Sequence, residues 1–207
     1  MAEDFQDINE PTILDENDLE SGASRRRQWI TAVICVLIVV ILAVTLALIV
    51  KTYVIATFTV DGSSMYPTLN GGGSDLNDGE TLYLNRLAKV KRGDIVVFTP
   101  DWDSMLQADG THKSLVKRVI AVAGDAVQIV DRQVYLNGKP LDEPYIKEQM
   151  SDRFDGQSWT VPEGYIFCMG DNRNNSTDCR VYGPVPVSCV VGKCFLVKGT
   201  DGKLHKP

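Results

Sequence analysis

Hydropathy divides the chain into three stretches. Residues 1–28 are polar without a sustained apolar period, Trp29–Val50 is a run without a charged side chain, and the remainder alternates apolar and polar residues in short bursts between glycines and prolines. Wound as a helix, the run from 29 to 50 extends about 33 Å, against about 30 Å of bilayer hydrocarbon, so it predicts a transmembrane helix. The later bursts have the period and composition of strands. Ile55–Val60, Thr81–Asn85, Ile95–Phe98, Val116–Asp125, Gln128–Leu136 and Tyr165–Met169 are short and rich in β-branched or aromatic residues. Asn137-Gly138 is the strongest hairpin-turn signal in the chain, and Asn70–Ser74 reads as a flexible loop. No later segment has the length and period of an amphipathic helix. The pattern predicts a mainly β body with a small hairpin-based insertion over 126–164, whose irregular connections are marked by Pro140, Pro144 and Pro162.

Charge sharpens this organisation. The formal net charge is -6, yet residues 1–24 hold eight acids and no base, and the remaining 19 acids nearly balance 21 bases. A near-neutral body has no basic field for nucleic acid. The acidic stretch reads as a solvated, disordered tail. Arg25, Arg26 and Arg27 precede the apolar run while Lys51 is the one close base after it, so the N-terminus is expected in the cytoplasm and residues 51–207 outside. A cleaved signal peptide competes, because Val54-Ile55-Ala56 has the small residues of a cleavage site. The run is longer than the usual apolar core of about 7–15 residues in such a peptide, which favours a retained anchor.

Of five cysteines, Cys35 lies inside the run, and Cys168, Cys179, Cys189 and Cys194 have neither framework spacing nor a CxxC pair. They read as buried free thiols. His112 and His205 are remote from them in sequence, so no metal-ligand spacing is present and no metal or cofactor is expected.

The candidate chemistry rests on a serine and a lysine. A serine hydroxyl is a weak nucleophile until an unprotonated base takes its proton. Lys117 follows Ser64 by 53 residues in a strand-like stretch, on a face expected to carry Leu115, Val119 and Ala121. Such neighbours strip water from an ammonium group and lower its pKa. Arg118, on the opposite face, reads as a salt-bridge or surface residue. Gly62 permits a sharp turn before Ser64, whose N–H then faces the same space and can stabilise an oxyanion, and Pro67 stiffens the turn after the nucleophile. A Ser-His-Asp arrangement through His112 remains open. The stretch Gly170–Arg180 is dense in hydrogen-bonding groups, but Arg173 and Ser176 stand where a calcium loop needs a ligand and a glycine. There Ser176 reads as a hydroxyl that orients the lysine, and Asp178 with Arg180 as a local ion pair.

Four ordered segments resemble the bacterial type I signal peptidases, in particular their single-span Gram-positive type: Ser64-Met65-Tyr66-Pro67-Thr68-Leu69, Arg92-Gly93-Asp94-Ile95-Val96, Lys117 through Asp125, and Gly170-Asp171-Asn172-Arg173 through Ser176, Asp178 and Arg180. The resemblance implies an N-terminal transmembrane helix over 29–50 followed by a two-part antiparallel β catalytic domain, with residues 51–125 and 165–207 as its core and 126–164 as the insertion. It implies Ser64 as nucleophile, Lys117 as general base, Ser176 as the hydroxyl that positions the lysine, and Asp178 with Arg180 as support. The implied substrates are exported preproteins leaving the export machinery, cut after small-x-small sites such as Ala-x-Ala at the bilayer surface. Gly62 stands where some members carry a hydroxyl residue that helps the oxyanion, Asn174 replaces a common aspartate, and Cys179 replaces a frequent serine and is expected to make the site thiol-sensitive. Two other functions compete: a LexA-like Ser-Lys autoprotease, and a catalytically silent membrane-anchored β module that binds exported proteins.

Overall fold

In the computed structural model, which describes residues 16–72 and 79–207, the apolar run lies within one continuous helix, α1 (Glu16–Ile49). Its side chains from Trp29 to Val50 are solvent-facing, including Leu37, Ile41 and Leu42, a surface that a soluble body does not leave uncovered. From Arg25 to Val54 the mean hydropathy reaches 3.5, enough in length and composition to cross a membrane. The helix begins earlier than the hydropathy pattern implied. Residues 16–28, expected as irregular tail, are helical, since no proline interrupts them and extending an existing helix costs far less than starting one. The rest of that tail, residues 1–15, lies outside the described residues.

Residues 50–207 form a separate β unit. A π-helical turn (Val50–Val54) leads into β1 (Ile55–Thr59), followed by β2 (Thr81–Asn85), β3 (Ile95–Phe98) and β4 (Leu115–Val122). The strands β5 (Ala126–Val130), β6 (Gln133–Leu136), β7 (Lys139–Pro140) and β8 (Ser158–Thr160) come next, then β9 (Tyr165–Met169). The short helix α2 (Cys179–Tyr182) precedes β10 (Val185–Pro186), β11 (Val190–Lys198) and β12 (Leu204–His205). All the pairings are antiparallel. One sheet has the order β1-β2-β11-β3-β4-β9-β10, with β12 also on β11, and the other β7-β6-β5-β8.

The predicted strand Gln128–Leu136 is in fact two. Asp131 and Arg132 adopt φ of 50° and 61° and form a tight turn between β5 and β6. Asn137-Gly138 turns the chain again into β7, as its sequence indicated. Two apolar clusters lie on β3 and β4. Val96, Phe98 and Val119 join Phe167 and Met169 and the residues Val127, Ile129 and Val134 of the second sheet. Ile95, Val97 and Val116 join Val60, Met65, Leu69, Leu82 and Leu84. The alternation of β3 and β4 between these clusters fixes their register, because a one-residue slip would exchange both faces.

Candidate active site

Ser64 sits in a turn held by its neighbours. Gly62 has φ 81°, a backbone angle that glycine adopts without strain. Beyond Ser64 the chain is anchored inward by Met65 and Leu69, both fully buried, and closed by hydrogen bonds from Tyr66 N to Ser63 O and from Leu69 N to Met65 O. A second segment clamps the turn from outside: Asn172 donates from its backbone N–H to Ser64 O at 3.0 Å and from Nδ2 to Ser63 O at 3.0 Å. Asn175 Nδ2 reaches Ser63 Oγ at 2.8 Å. Among the described residues the Ser64 N–H has no acceptor.

Lys117 projects from β4, 3 % exposed, with Nζ 2.7 Å from Ser64 Oγ and 3.0 Å from Val116 O. Burial drives its pKa down to about 8, against the opposing attraction of Asp178. The apolar environment expected from sequence is present in Leu115 and Val119, which pack in the larger cluster. A bulge between Val119 and Ala121 breaks the alternation, so Ala121 no longer follows from Lys117 by strand period.

Asp178 and Arg180 form an ion pair within the core, with Arg180 Nε 2.8 Å from Asp178 Oδ1 and Nη2 2.8 Å from Oδ2. Asp178 also caps α2 through the Arg180 N–H and accepts from Gly170 N at 3.0 Å. Burial opposes ionisation of this carboxylate, but the hydrogen bonds and the charge of Arg180 prevail and hold it below the ordinary range. Ser176 departs from expectation. Lys117 Nζ bonds to Ser64 and Val116 O and not to Ser176, whose Oγ is buried without a hydrogen-bond partner of good geometry, although it lies close enough to Asp178 to favour the carboxylate. A Cβ at Gly170 would collide with that hydroxyl, so glycine there keeps the Ser176 pocket open.

Several contacts around the site have partners that the sequence did not indicate. Arg118 takes the salt-bridge alternative of its reading, with a partner the sequence did not indicate: it makes two hydrogen bonds to fully buried Asp171, 2.9 Å and 2.7 Å long, and stacks over Tyr145. Asp171 in turn accepts from Thr68 Oγ1 at 2.5 Å, so one carboxylate ties the lysine's strand to the serine's turn. Arg173 is buried against Glu143, and Asn174 braces the 149–151 segment. The density of polar groups in Gly170–Arg180 was the available signal; which partner each group takes is set by the meeting of distant segments.

A cleft of about 590 Å³ opens at Ser64 and Lys117, walled by Phe58 and Thr59 of β1, by His112 and Lys113, and by Asn175 and Thr177. Ser64 Oγ takes its hydrogen bond from Lys117, and none links it to His112. His205 pairs with Glu80 instead. Among the described residues no His, Cys, Asp and Glu group has the arrangement of a metal site.

A serine hydroxyl against a desolvated lysine in an antiparallel β body has the geometry of a serine hydrolase site. The chain belongs to the signal peptidase family, peptidase S26, whose family model matches residues 27–198. It is 38% identical over 154 residues to signal peptidase I S of Bacillus subtilis, covering 68% of this chain and 74% of that protein. It is also 36% identical over 156 residues to a probable signal peptidase I-2 of Synechocystis, covering 74% and 67%. A solved signal peptidase I from Enterococcus faecalis aligns over 51% of this chain and 97% of its own, with 28% identity and a TM-score of 0.42. The protein is thus a serine peptidase of the class that removes signal peptides.

Proposed function

We propose that this chain is a membrane-anchored endopeptidase that uses Ser64 as nucleophile and neutral Lys117 as general base to cut signal peptides from exported preproteins after small-x-small sites. The observation that carries the reading is the 2.7 Å contact between Ser64 Oγ and a lysine nitrogen whose pKa burial has lowered to about 8. A lysine at its ordinary value would be protonated near neutral pH and unable to accept a proton.

In the proposed reaction, Lys117 Nζ takes the Ser64 proton as Ser64 Oγ bonds to the scissile carbonyl carbon. The Ser64 N–H faces the oxygen that gains charge, the protonated lysine returns its proton to the leaving amine, and a water deprotonated by Lys117 releases the acyl group. Asp178 and Arg180 hold the segment behind the lysine, and Ser176 supports the Asp178 carboxylate. β1 is an edge strand of the large sheet, and Phe58 and Thr59 wall the cleft, so an extended peptide can add there by backbone pairing. Helix α1 would anchor the enzyme in the bilayer, with Arg25, Arg26 and Arg27 on the cytoplasmic side and residues 51–207 outside, where preproteins leave the export machinery. We assign residues 51–125 and 165–207 to the catalytic core and 126–164 to an inserted subdomain. The reaction calls for no metal or cofactor and involves no nucleic acid.

The test uses the full chain in detergent with a preprotein bearing an Ala-x-Ala site. Wild type is expected to release the signal peptide at that site, read by mass spectrometry, while Ser64→Ala and Lys117→Ala leave the preprotein intact. Cleavage by either variant at a rate near wild type would contradict the assignment, as would equal cleavage when both alanines of the site are replaced by leucine.

A further inference from the structure

Stabilising the tetrahedral intermediate of acyl transfer calls for donors aimed at the oxygen that gains charge, and removing one from such a site costs about 10²–10³ in kcat. The Ser64 N–H supplies one. The residue two before it cannot supply another, since Gly62 has no side chain and its φ of 81° would strain any replacement. The hydroxyl next along the chain belongs to Ser63, an exposed residue of the same cleft.

Ser63 is held on several sides. Its carbonyl accepts from Tyr66 N at 3.1 Å and Asn172 Nδ2 at 3.0 Å, and its Oγ accepts from Asn175 Nδ2 at 2.8 Å. The last contact matters most. An amide N–H can only donate, so it occupies a lone pair of the Ser63 oxygen and leaves the hydroxyl proton for another acceptor. Ser63 Oγ and the Ser64 N–H are linked through Cβ, Cα and the carbonyl carbon of one residue, close enough for both to face a single oxygen. Two other hydroxyls of the cleft are engaged elsewhere, Thr111 with Asp109 and Ser114 with Thr99.

We propose that Ser63 is a catalytic residue of this enzyme, its hydroxyl donating to the nascent oxyanion beside the Ser64 N–H, and that Asn175 is the positioning residue that aims it. The proposal rests on the Ser64–Lys117 reading above. As Ser64 Oγ bonds to the carbonyl carbon, the π pair moves onto the carbonyl oxygen and the Ser64 proton passes to Lys117. Ser63 transfers no proton; it lends a hydrogen bond that is stronger to the oxyanion than to the neutral carbonyl, so it acts on kcat rather than on substrate binding.

The test is a double-mutant cycle on the full chain in detergent, with a peptide carrying an Ala-x-Ala site and kcat, KM and pH dependence read for each variant. Ser63→Ala is expected to lower kcat about 100-fold with KM nearly unchanged and the pH transition unmoved. Ser63→Thr, which keeps the hydroxyl, recovers most of the loss. Asn175→Ala lowers kcat in the wild type but adds little once Ser63 is alanine, the non-additivity of residues acting through one another. A near wild-type kcat for Ser63→Ala, or an equal cost of Asn175→Ala in both backgrounds, would overturn the proposal and leave the Ser64–Lys117 reading intact. Failure of that reading is distinct: Ser64→Ala would then cleave.

Discussion

Lys117 and Asp178 share one buried neighbourhood, and the carboxylate raises the lysine's pKa while burial lowers it. Burial wins. Its dominance keeps a base available near pH 8, and the same imbalance is stored in the fold as an energetic cost.

That cost can be measured. Below about pH 8 Lys117 is protonated in the native and unfolded chains alike, and the native state bears the full penalty of a buried charge. Between about 8 and the ordinary 10.5 the unfolded chain binds the proton that the native one has lost, so stability rises with pH, and above 10.5 the penalty is gone. At about 1.4 kcal/mol per pH unit the penalty is about 3 kcal/mol. Lys117→Met, similar in length and uncharged, is expected to stabilise the β unit by up to this amount at pH 7, with the gain shrinking above pH 8. Denaturant titration of wild type and variant at pH 7 and 10 checks it; a destabilised Lys117→Met at pH 7 would show that the lysine is not held under strain.

Asp178 and Arg180 give the opposite sign. Removing one member leaves the other charged and buried, which costs about 3–5 kcal/mol. Asp178→Ala and Arg180→Ala should each unfold at markedly lower denaturant concentration than wild type. Because the Asp178 carboxylate is held low, the pair's contribution is present above the ordinary aspartate range and is lost as pH falls through the native pKa. Wild-type stability is therefore expected to drop in acid with a slope that Asp178→Ala lacks.

Thr68 and Asp171 connect the serine's turn to the lysine's strand through Arg118. A hydrogen bond to a charged group contributes about 1.5–3 kcal/mol, so Thr68→Val should lower stability by that order. Because Ser64 is four residues away in the same turn, the rate per folded molecule should fall as well. Unchanged kcat in a correctly folded Thr68→Val variant would mean that Asp171 braces the fold without bracing the serine.

Cys179 was expected to make the site sensitive to thiol reagents. The structure corrects this: the side chain is fully buried, with Sγ accepting from Cys168 N at 3.1 Å. Burial also pushes the neighbouring Cys168 thiol up, away from the reactive thiolate. Alkylation of the native enzyme is expected to leave Cys168 and Cys179 unmodified and activity intact, with both reacting only after denaturation, as read by peptide mapping.

Much of the architecture was legible in the sequence because its signals are local. Thr81–Asn85, Ile95–Phe98 and Tyr165–Met169 are strands with the bounds that their composition indicated. The turn at Asp131-Arg132 went unread because arginine is an uncommon residue at positive φ, whereas Asn137-Gly138 announces itself. The central strand β11 was missed: Gly192 and Lys193 interrupt its apolar pattern, and its place between β2 and β3 is decided by pairing across the chain. For the site, the pairing of Ser64 with Lys117 and the ion pair of Asp178 with Arg180 were readable from residue type, and the resemblance gave them their roles. The Asn172 and Asn175 clamps, and the free hydroxyl of Ser176, depend on how two loops separated by more than a hundred residues meet.

Whether Lys117 is the base for Ser64 is tested most directly by the pH dependence of single-turnover cleavage by wild type and Lys117→Ala. The wild-type rate is expected to rise about tenfold per pH unit in acid and level off above about pH 8, with no comparable reaction in the variant at any pH. Cleavage that persists in Lys117→Ala with its pH dependence unchanged would instead contradict the assignment and point to His112, on the wall of the same cleft.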